Sequence, residues 1–223
     1  MKIGINLVGV SYNNGSTGGR YRNFEDAKDG LFTYVVNPLI EQGHEVSFHL
    51  CSYENEKQND ILIAYKPTTH LFVNPKYNIA GGGDKVIPGM KIMSHLYTQS
   101  LALLLLQPLD LVISTRFDIN FFKNPFTEYE YDFTKCNFLW REPEFMHIPI
   151  VNDTFIVFPH SMTSDLITAI NIMETDPPFG CNIGMHNLYV PMVSQVGEEN
   201  VQWMDDEFKT AIENDLYKLM RSE

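Results

Sequence analysis

The stretch "LDLVISTRFDINFF", residues 109–122, decides how this chain is read. Its first half is apolar and β-branched, as a buried strand requires. The strand then runs straight into Arg116, Asp118 and Asn120 before an aromatic pair. A core strand that ends in a guanidinium and a carboxylate belongs in an open sheet whose ligands meet the carboxyl ends of its strands.

Upstream, residues 2–10 alternate and are β-branched enough for a first strand, and "SYNNGSTGGR" behind them is a glycine-rich polar loop. Leu31, Phe32, Val35, Val36, Leu39 and Ile40 recur at helical spacing, with Pro38 as a kink and Gly43 as the closing cap. Val46, Phe48 and Leu50 share one face of a second strand, "THLFV" is a third, and residues 93–106 form an apolar helix that delivers the chain to the opening strand. Strand and helix in alternation describe a parallel sheet with helices on its faces. Downstream, "CNFLWRE" and "TFIVF" are strands with little helix between them, so the sheet becomes mixed. Residues 161–174 form a helix capped by Ser161 or Thr163. Residues 205–220 are expected to close the chain as an amphipathic helix with Phe208, Ile212, Leu216 and Leu219 as its stripe. The fold class is α/β: a Rossmann-like open mixed sheet, parallel in its N-terminal half and flanked by helices.

A chain of 223 residues without a visible linker is expected to be one domain. The net charge of −12, from 28 acidic and 16 basic side chains, excludes a broad basic face for nucleic acid or anionic lipid. A phosphate ligand must therefore meet a local basic patch or a metal ion. Cys51, Cys136 and Cys181 are far apart, which argues against a zinc site or a disulfide framework and for a reducing compartment. The N-terminus turns polar too soon for a signal peptide, and "LALLLLQPLDLVI" is broken by Gln107, Pro108 and Asp110, short of a membrane span. The expectation is a soluble, cytoplasmic protein.

At the end of the central strand Asp118 is a hard oxygen ligand suited to Mn²⁺ or Mg²⁺, and such an ion would bridge the phosphates of a nucleoside diphosphate. The planar fork of Arg116 would hold a phosphate or carboxylate beside it. The plainer alternative is that Asp118 caps the turn and Arg116 pairs with it. Asp153, in "VNDTFIVFP", heads a strand and is the candidate base; Glu142 and Glu144 are rivals, with Trp140 next to them as a surface on which a sugar would stack.

The segment "LDLVIS" followed by "TRFDINFF" resembles the DxD-type segment of GT-A-fold nucleotide-sugar glycosyltransferases. Together with "GINLVGVSYNNGSTGGRYRNF", "VVNPLIEQGHEV", "NDTFIVFP" and "HNLY", it is similar to the N-terminal glycosyltransferase domain of a large chlorella-virus-encoded protein that builds the capsid glycan. The resemblance covers nearly the whole chain. It departs from DxD in having Asn120 at the second acidic position or, in the other register, Arg116 at the first; Asp118 is common to both.

The resemblance implies a nucleotide-binding half at about residues 1–120 and an acceptor half at about 121–223. It implies metal ligation by Asp118, with Asn120 as a weaker donor and His186 in "GMHNLY" as a further ligand. Val10, Ser11 and Tyr12 would line the base and ribose, and Arg20 and Arg22 would reach the diphosphate. The implied activity is metal-dependent, inverting transfer of a sugar, L-rhamnose by the viral likeness, from a UDP-sugar to a glycan acceptor. Two other readings stay open: a sugar nucleotidyltransferase on the same sheet edge, and a carbohydrate-binding module that has lost catalysis, with Asn120 as its mark.

Overall fold

The computed structural model describes residues 1–13, 21–74, 94–145, 148–175, 184–209 and 214–220. The chain opens with β1 (Lys2–Gly9), the short strands β2 (Tyr12–Asn13) and β3 (Arg22–Asn23), and α1 (Glu25–Leu31). A π-helical turn, Phe32–Val36, joins α1 to α2 (Asn37–Glu41); β4 (Glu45–Tyr53), α3 (Gln58–Tyr65), β5 (Thr69–Val73) and α4 (Ser94–Leu104) follow. Then come β6 (Leu111–Arg116), β7 (Ile119–Phe121), α5 (Pro125–Glu128), β8 (Cys136–Phe145), β9 (Ile148–Val151) and β10 (Phe155–Pro159). The described chain finishes with α6 (Thr163–Thr175), α7 (Tyr189–Val196), β11 (Val201–Phe208) and β12 (Tyr217–Leu219).

The main sheet has eight strands in the order β11-β8-β10-β6-β1-β4-β5, with β9 paired to β8. β6, β1, β4 and β5 are mutually parallel, whereas β10 runs antiparallel to both β6 and β8. β1 lies inside the sheet between β6 and β4 and is buried on both faces, which is why residues 3–8 carry so little polarity. Ile3, Ile5 and Leu7 pack with Leu31, Val35, Leu50 and Phe117 in the larger core cluster. A second cluster joins Val112, Phe138 and Ile156 to Leu166, Ile170 and Met192 of the later helices.

Asn6, which interrupts the apolar run of β1, is fully buried and donates to Ser114 Oγ (3.2 Å), the same oxygen that Gln99 of α4 donates to at 2.8 Å. Its neighbour in register on β4, His49, hydrogen-bonds Thr69 Oγ1 at 2.8 Å and is held neutral chiefly by burial, which lowers its pKa. A polar row thus crosses the parallel strands beneath α4.

The first helix begins earlier than its apolar stripe. Residues 25–30 supply the opening turns, and Pro38 sits in the first turn of α2, where its missing N–H costs little. The π turn absorbs the irregularity, with the Asn37 N–H donating five residues back to Phe32 O. Gly43 closes the helix at φ +81°, as expected.

The expected helix over residues 205–220 is not what the chain forms. Residues 201–208 are strand β11, parallel to β8, and residues 217–219 are strand β12, antiparallel to β7; residues 210–213 lie outside the described set. Asn214 Oδ1 accepts from the N–H groups of Leu216 (3.0 Å) and Tyr217 (2.9 Å), a turn that forbids a continuing helix there. Leu216 and Tyr217 enter the core from that turn. No helix among the described residues is long and apolar enough to cross a membrane.

Candidate active site

The carboxyl ends of β1 and β6 share one rim of the sheet, and the start of the antiparallel β10 returns to it. Leaving β6, Phe117 turns inward against Tyr65 (ring centroids 5.8 Å apart), so Arg116 and Asp118 on either side of it point the other way. Across the rim Asn152 Oδ1 accepts from the Thr154 N–H (3.2 Å), a local turn with Asp153 at its tip, and Thr115 Oγ1 ties that turn to β6 through Thr154 O (2.8 Å).

These turns bring together an alternating line of charge. Arg22 Nε of β3 lies 3.6 Å from Asp118 Oδ2. Arg116 grips Asp118 with both arms of its fork, Nε to Oδ1 at 2.9 Å and Nη2 to Oδ2 at 2.8 Å, and its Nη1 is 3.5 Å from Asp153 Oδ1. On the far side His186 places Nε2 at 3.8 Å from Asp153 Oδ2 and Nδ1 at 3.1 Å from Glu142 Oε2. Cation and anion alternate from Arg22 to Glu142, which is how so many ionised groups share a half-buried place. Burial opposes the charge on Arg116, but Asp118 and then Asp153 outweigh it and raise its pKa. Burial also opposes a charged His186; Asp153 first, then Glu142, overcome that and push its pKa up to about 9, so the ring is an imidazolium at neutral pH.

Mn²⁺ or Mg²⁺ calls for carboxylate oxygens and a neutral imidazole, and the residues as placed here do not fit such an ion: Arg116 lies between Asp118 and Asp153, and His186 carries a proton. The position between the two acids is held by the Arg116 guanidinium, a stand-in cation, and among the described residues no group of three or more His, Cys, Asp or Glu side chains is arranged to hold a metal ion.

Other candidates are placed apart from this line. Asn120 is not brought into it: its side-chain oxygen packs over Gly30 of α1. Ser11 is buried and fixed by Ser52 and Asn55, whose groups donate to its Oγ at 2.7 and 3.1 Å. Val10 follows β1, and Tyr12 pairs with Asn23 in the small β2–β3 ladder that carries Arg22. Arg20 lies outside the described residues. Trp140 offers no surface to a sugar, because it is fully buried and stacked on Tyr217 (5.7 Å, 9°). Tyr217 itself was hidden by the expected helix; its hydroxyl accepts from Asn152 Nδ2 at 2.9 Å, and Asn152 also donates to Glu142 (3.2 Å), bracing the site from below.

No family model matches the sequence, and no curated protein sequence matches it. Solved structures do match. The galactosyltransferase LgtC in complex with donor and acceptor sugar analogs superposes with a TM-score of 0.52 at 11% identity, over 91% of this chain and 73% of that one. An active-site mutant of LgtC gives 0.53 at 11% identity, over 91% and 72%. The apo-form glycosyltransferase GlyE of Streptococcus pneumoniae TIGR4 gives 0.51 at 10% identity, over 92% of this chain and 45% of that one. This is the GT-A glycosyltransferase fold. At such identities the GT-A likeness is one of backbone, and the chemistry must be argued from this chain's own residues.

Proposed function

We propose that the chain transfers a sugar from a UDP-sugar donor to a carbohydrate acceptor. The observation that carries this reading is the Arg116 guanidinium, shared between Asp118 and Asp153 at the carboxyl end of a central strand of a GT-A fold. A site that must receive a diphosphate and its leaving charge needs movable cations beside fixed acids, and a strongly acidic chain has gathered them at this rim.

Arg116 and Arg22 would hold the diphosphate, the first by its planar fork and the second from the β2–β3 ladder. Tyr12, on the same ladder, would lie along the base. Asp153 is the candidate base: the acceptor oxygen forms its bond to the anomeric carbon, its proton passes to the Asp153 carboxylate, and the bond to the diphosphate breaks with its electron pair leaving on the phosphate oxygen. Displacement from the opposite face inverts the anomeric centre. A dependence on Mn²⁺ or Mg²⁺, with Asp118 and His186 as ligands, rests on the resemblance alone; the cations this chain itself would bring to the departing diphosphate are the two arginines. Glu142 and Val151 O fix the ring of His186 through its Nδ1. The choice of L-rhamnose, and of a viral glycan as acceptor, rests on the resemblance alone.

The test is a thermal-stability screen of UDP- and GDP-sugars with and without Mn²⁺. A bound ligand at ~100 times its Kd adds about 2.7 kcal/mol, which for a chain of this size raises Tm by about 5–10 °C. Stabilisation by UDP-sugars is expected. Stabilisation by none of them, or pyrophosphate release from UTP and a sugar phosphate, would overturn the reading.

A further inference from the structure

We propose that this chain breaks the bond to the diphosphate without a divalent ion, and that Asp118 serves there as a positioning residue that aims the guanidinium of Arg116 at the departing phosphate. The proposal rests on the sugar-transfer reading above and names what takes up the leaving charge in it.

The way the fork is divided decides this. Arg116 commits its inner edge to Asp118, with Nε donating to Oδ1 at 2.9 Å and Nη2 to Oδ2 at 2.8 Å. A guanidinium has a second edge, formed by Nη1 and the other N–H of Nη2, whose parallel donors match a pair of phosphate oxygens. Among the described residues that outer edge has one anionic neighbour, Asp153 Oδ1 at 3.5 Å from Nη1, well beyond the about 2.7–2.9 Å of a charge-assisted hydrogen bond. An arriving diphosphate displaces only this looser contact, and the pair with Asp118 stays intact.

The same pairing leaves no seat for an ion on Asp118. A small divalent ion needs carboxylate oxygens at about 2.1 Å, whereas both oxygens of Asp118, a side chain only 4% exposed, already accept from Arg116, and Arg22 Nε stands 3.6 Å from Oδ2. No second acid follows it, since Asn120 turns its side-chain oxygen over Gly30. His186 is no closer to Asp118, because it meets the other oxygen of Asp153, with Arg116 in between. Two guanidinium groups thus face two carboxyl groups, the match that an ion supplies where acids stand alone. When the bond from the anomeric carbon breaks, its electron pair stays on the phosphate oxygen. The outer N–H groups of Arg116, with Arg22, take up that charge as donors already in place, and no proton passes from them.

Binding of UDP and of uridine to the full chain, measured by calorimetry in EDTA and again with excess Mn²⁺, tests this together with UDP release from UDP-sugars. Wild type should bind UDP in EDTA within about threefold of its affinity with Mn²⁺, and should release UDP at a comparable rate in both. Arg116→Lys, which keeps the charge but loses the fork, and Asp118→Asn, which loosens its aim, should each weaken UDP at least about tenfold in EDTA. Uridine, which lacks the phosphates, should bind both variants as it binds wild type; a merely structural defect would weaken both ligands alike. UDP affinity or UDP release of wild type that falls about tenfold or more in EDTA refutes the proposal, needs no variant, and leaves the sugar-transfer reading standing. An Asp118→Asn chain that loses UDP affinity only when Mn²⁺ is present, or loses none, refutes it equally. UDP that binds under neither condition overturns the sugar-transfer reading and the proposal with it.

Discussion

Gly30→Ala sets two opposed effects against each other, and the structure decides between them. Gly30 is buried inside α1, where glycine costs about 0.5–1 kcal/mol relative to alanine, so propensity alone favours the substitution. A Cβ placed there, however, would lie 2.6 Å from Phe121 O and 2.7 Å from Phe121 N, with the Asn120 side-chain oxygen nearer still. The backbone of β7 cannot give way: it pairs with β12, the Phe122 N–H donates to Leu216 O at 2.9 Å, and the Phe121 ring is wedged between Phe155 and Tyr217. Reaching ordinary contact at 3.4 Å from 2.6 Å requires α1 to lift by 0.8 Å. Overpacking of this kind costs about 1–3 kcal/mol, so the net loss is about 1–2 kcal/mol and Tm falls by about 3–6 °C. Urea and thermal unfolding of both proteins measure it. Adding Asn120→Ala should recover only part, since two of the three close contacts are to backbone. An alanine variant as stable as wild type, or more so, would show that α1 is not held against β7 as described.

Tyr217→Phe keeps the stack on Trp140 but removes the hydroxyl that accepts from the buried Asn152; a loss of about 1–2 kcal/mol is expected in urea unfolding, and none would mean that Asn152 is not braced there. In metal-free buffer, wild type should exceed His186→Gln in stability with the sign of a raised pKa: fully below pH about 6.5, fading as pH rises through about 9. With the His186 side chain 34% exposed, solvent screening limits that margin to about 1 kcal/mol; a difference that is flat across this window would remove the imidazolium from the account.

Part of the sheet was legible because β1, β6 and β10 are buried along nearly their whole length and carry largely apolar runs; β4 was legible from the shared face of Val46, Phe48 and Leu50, and the half-buried edge strand β5 from its short apolar run. The parallel first half and mixed second half followed from the helices between the strands and their later absence. The chain's end was misread because Phe208, Leu216 and Leu219 fall at helical spacing by coincidence. Their true places depend on pairing with β8 and β7, partners some sixty to one hundred residues away that no local pattern encodes. Arg116, Asp118 and Asp153 could be placed on one rim from strand ends alone. The link from His186 to Glu142 could not, since it arises where a one-turn 3₁₀ segment, Gly184–Leu188, docks beside β9. Trp140 was taken for a sugar surface because its neighbours are acidic; the cover that Tyr217 gives it was concealed within the expected helix.

The central claim is that the acid of residue 118, beside two arginines, handles the diphosphate of a sugar donor. Release of UDP from a UDP-sugar, measured with and without Mn²⁺ in wild type and in Asp118→Asn, tests it most directly. The account predicts UDP release by wild type that is lost in Asp118→Asn, where Arg116 loses its two-armed partner. Glycan binding indifferent to metal and to that substitution, with no UDP released, would contradict it.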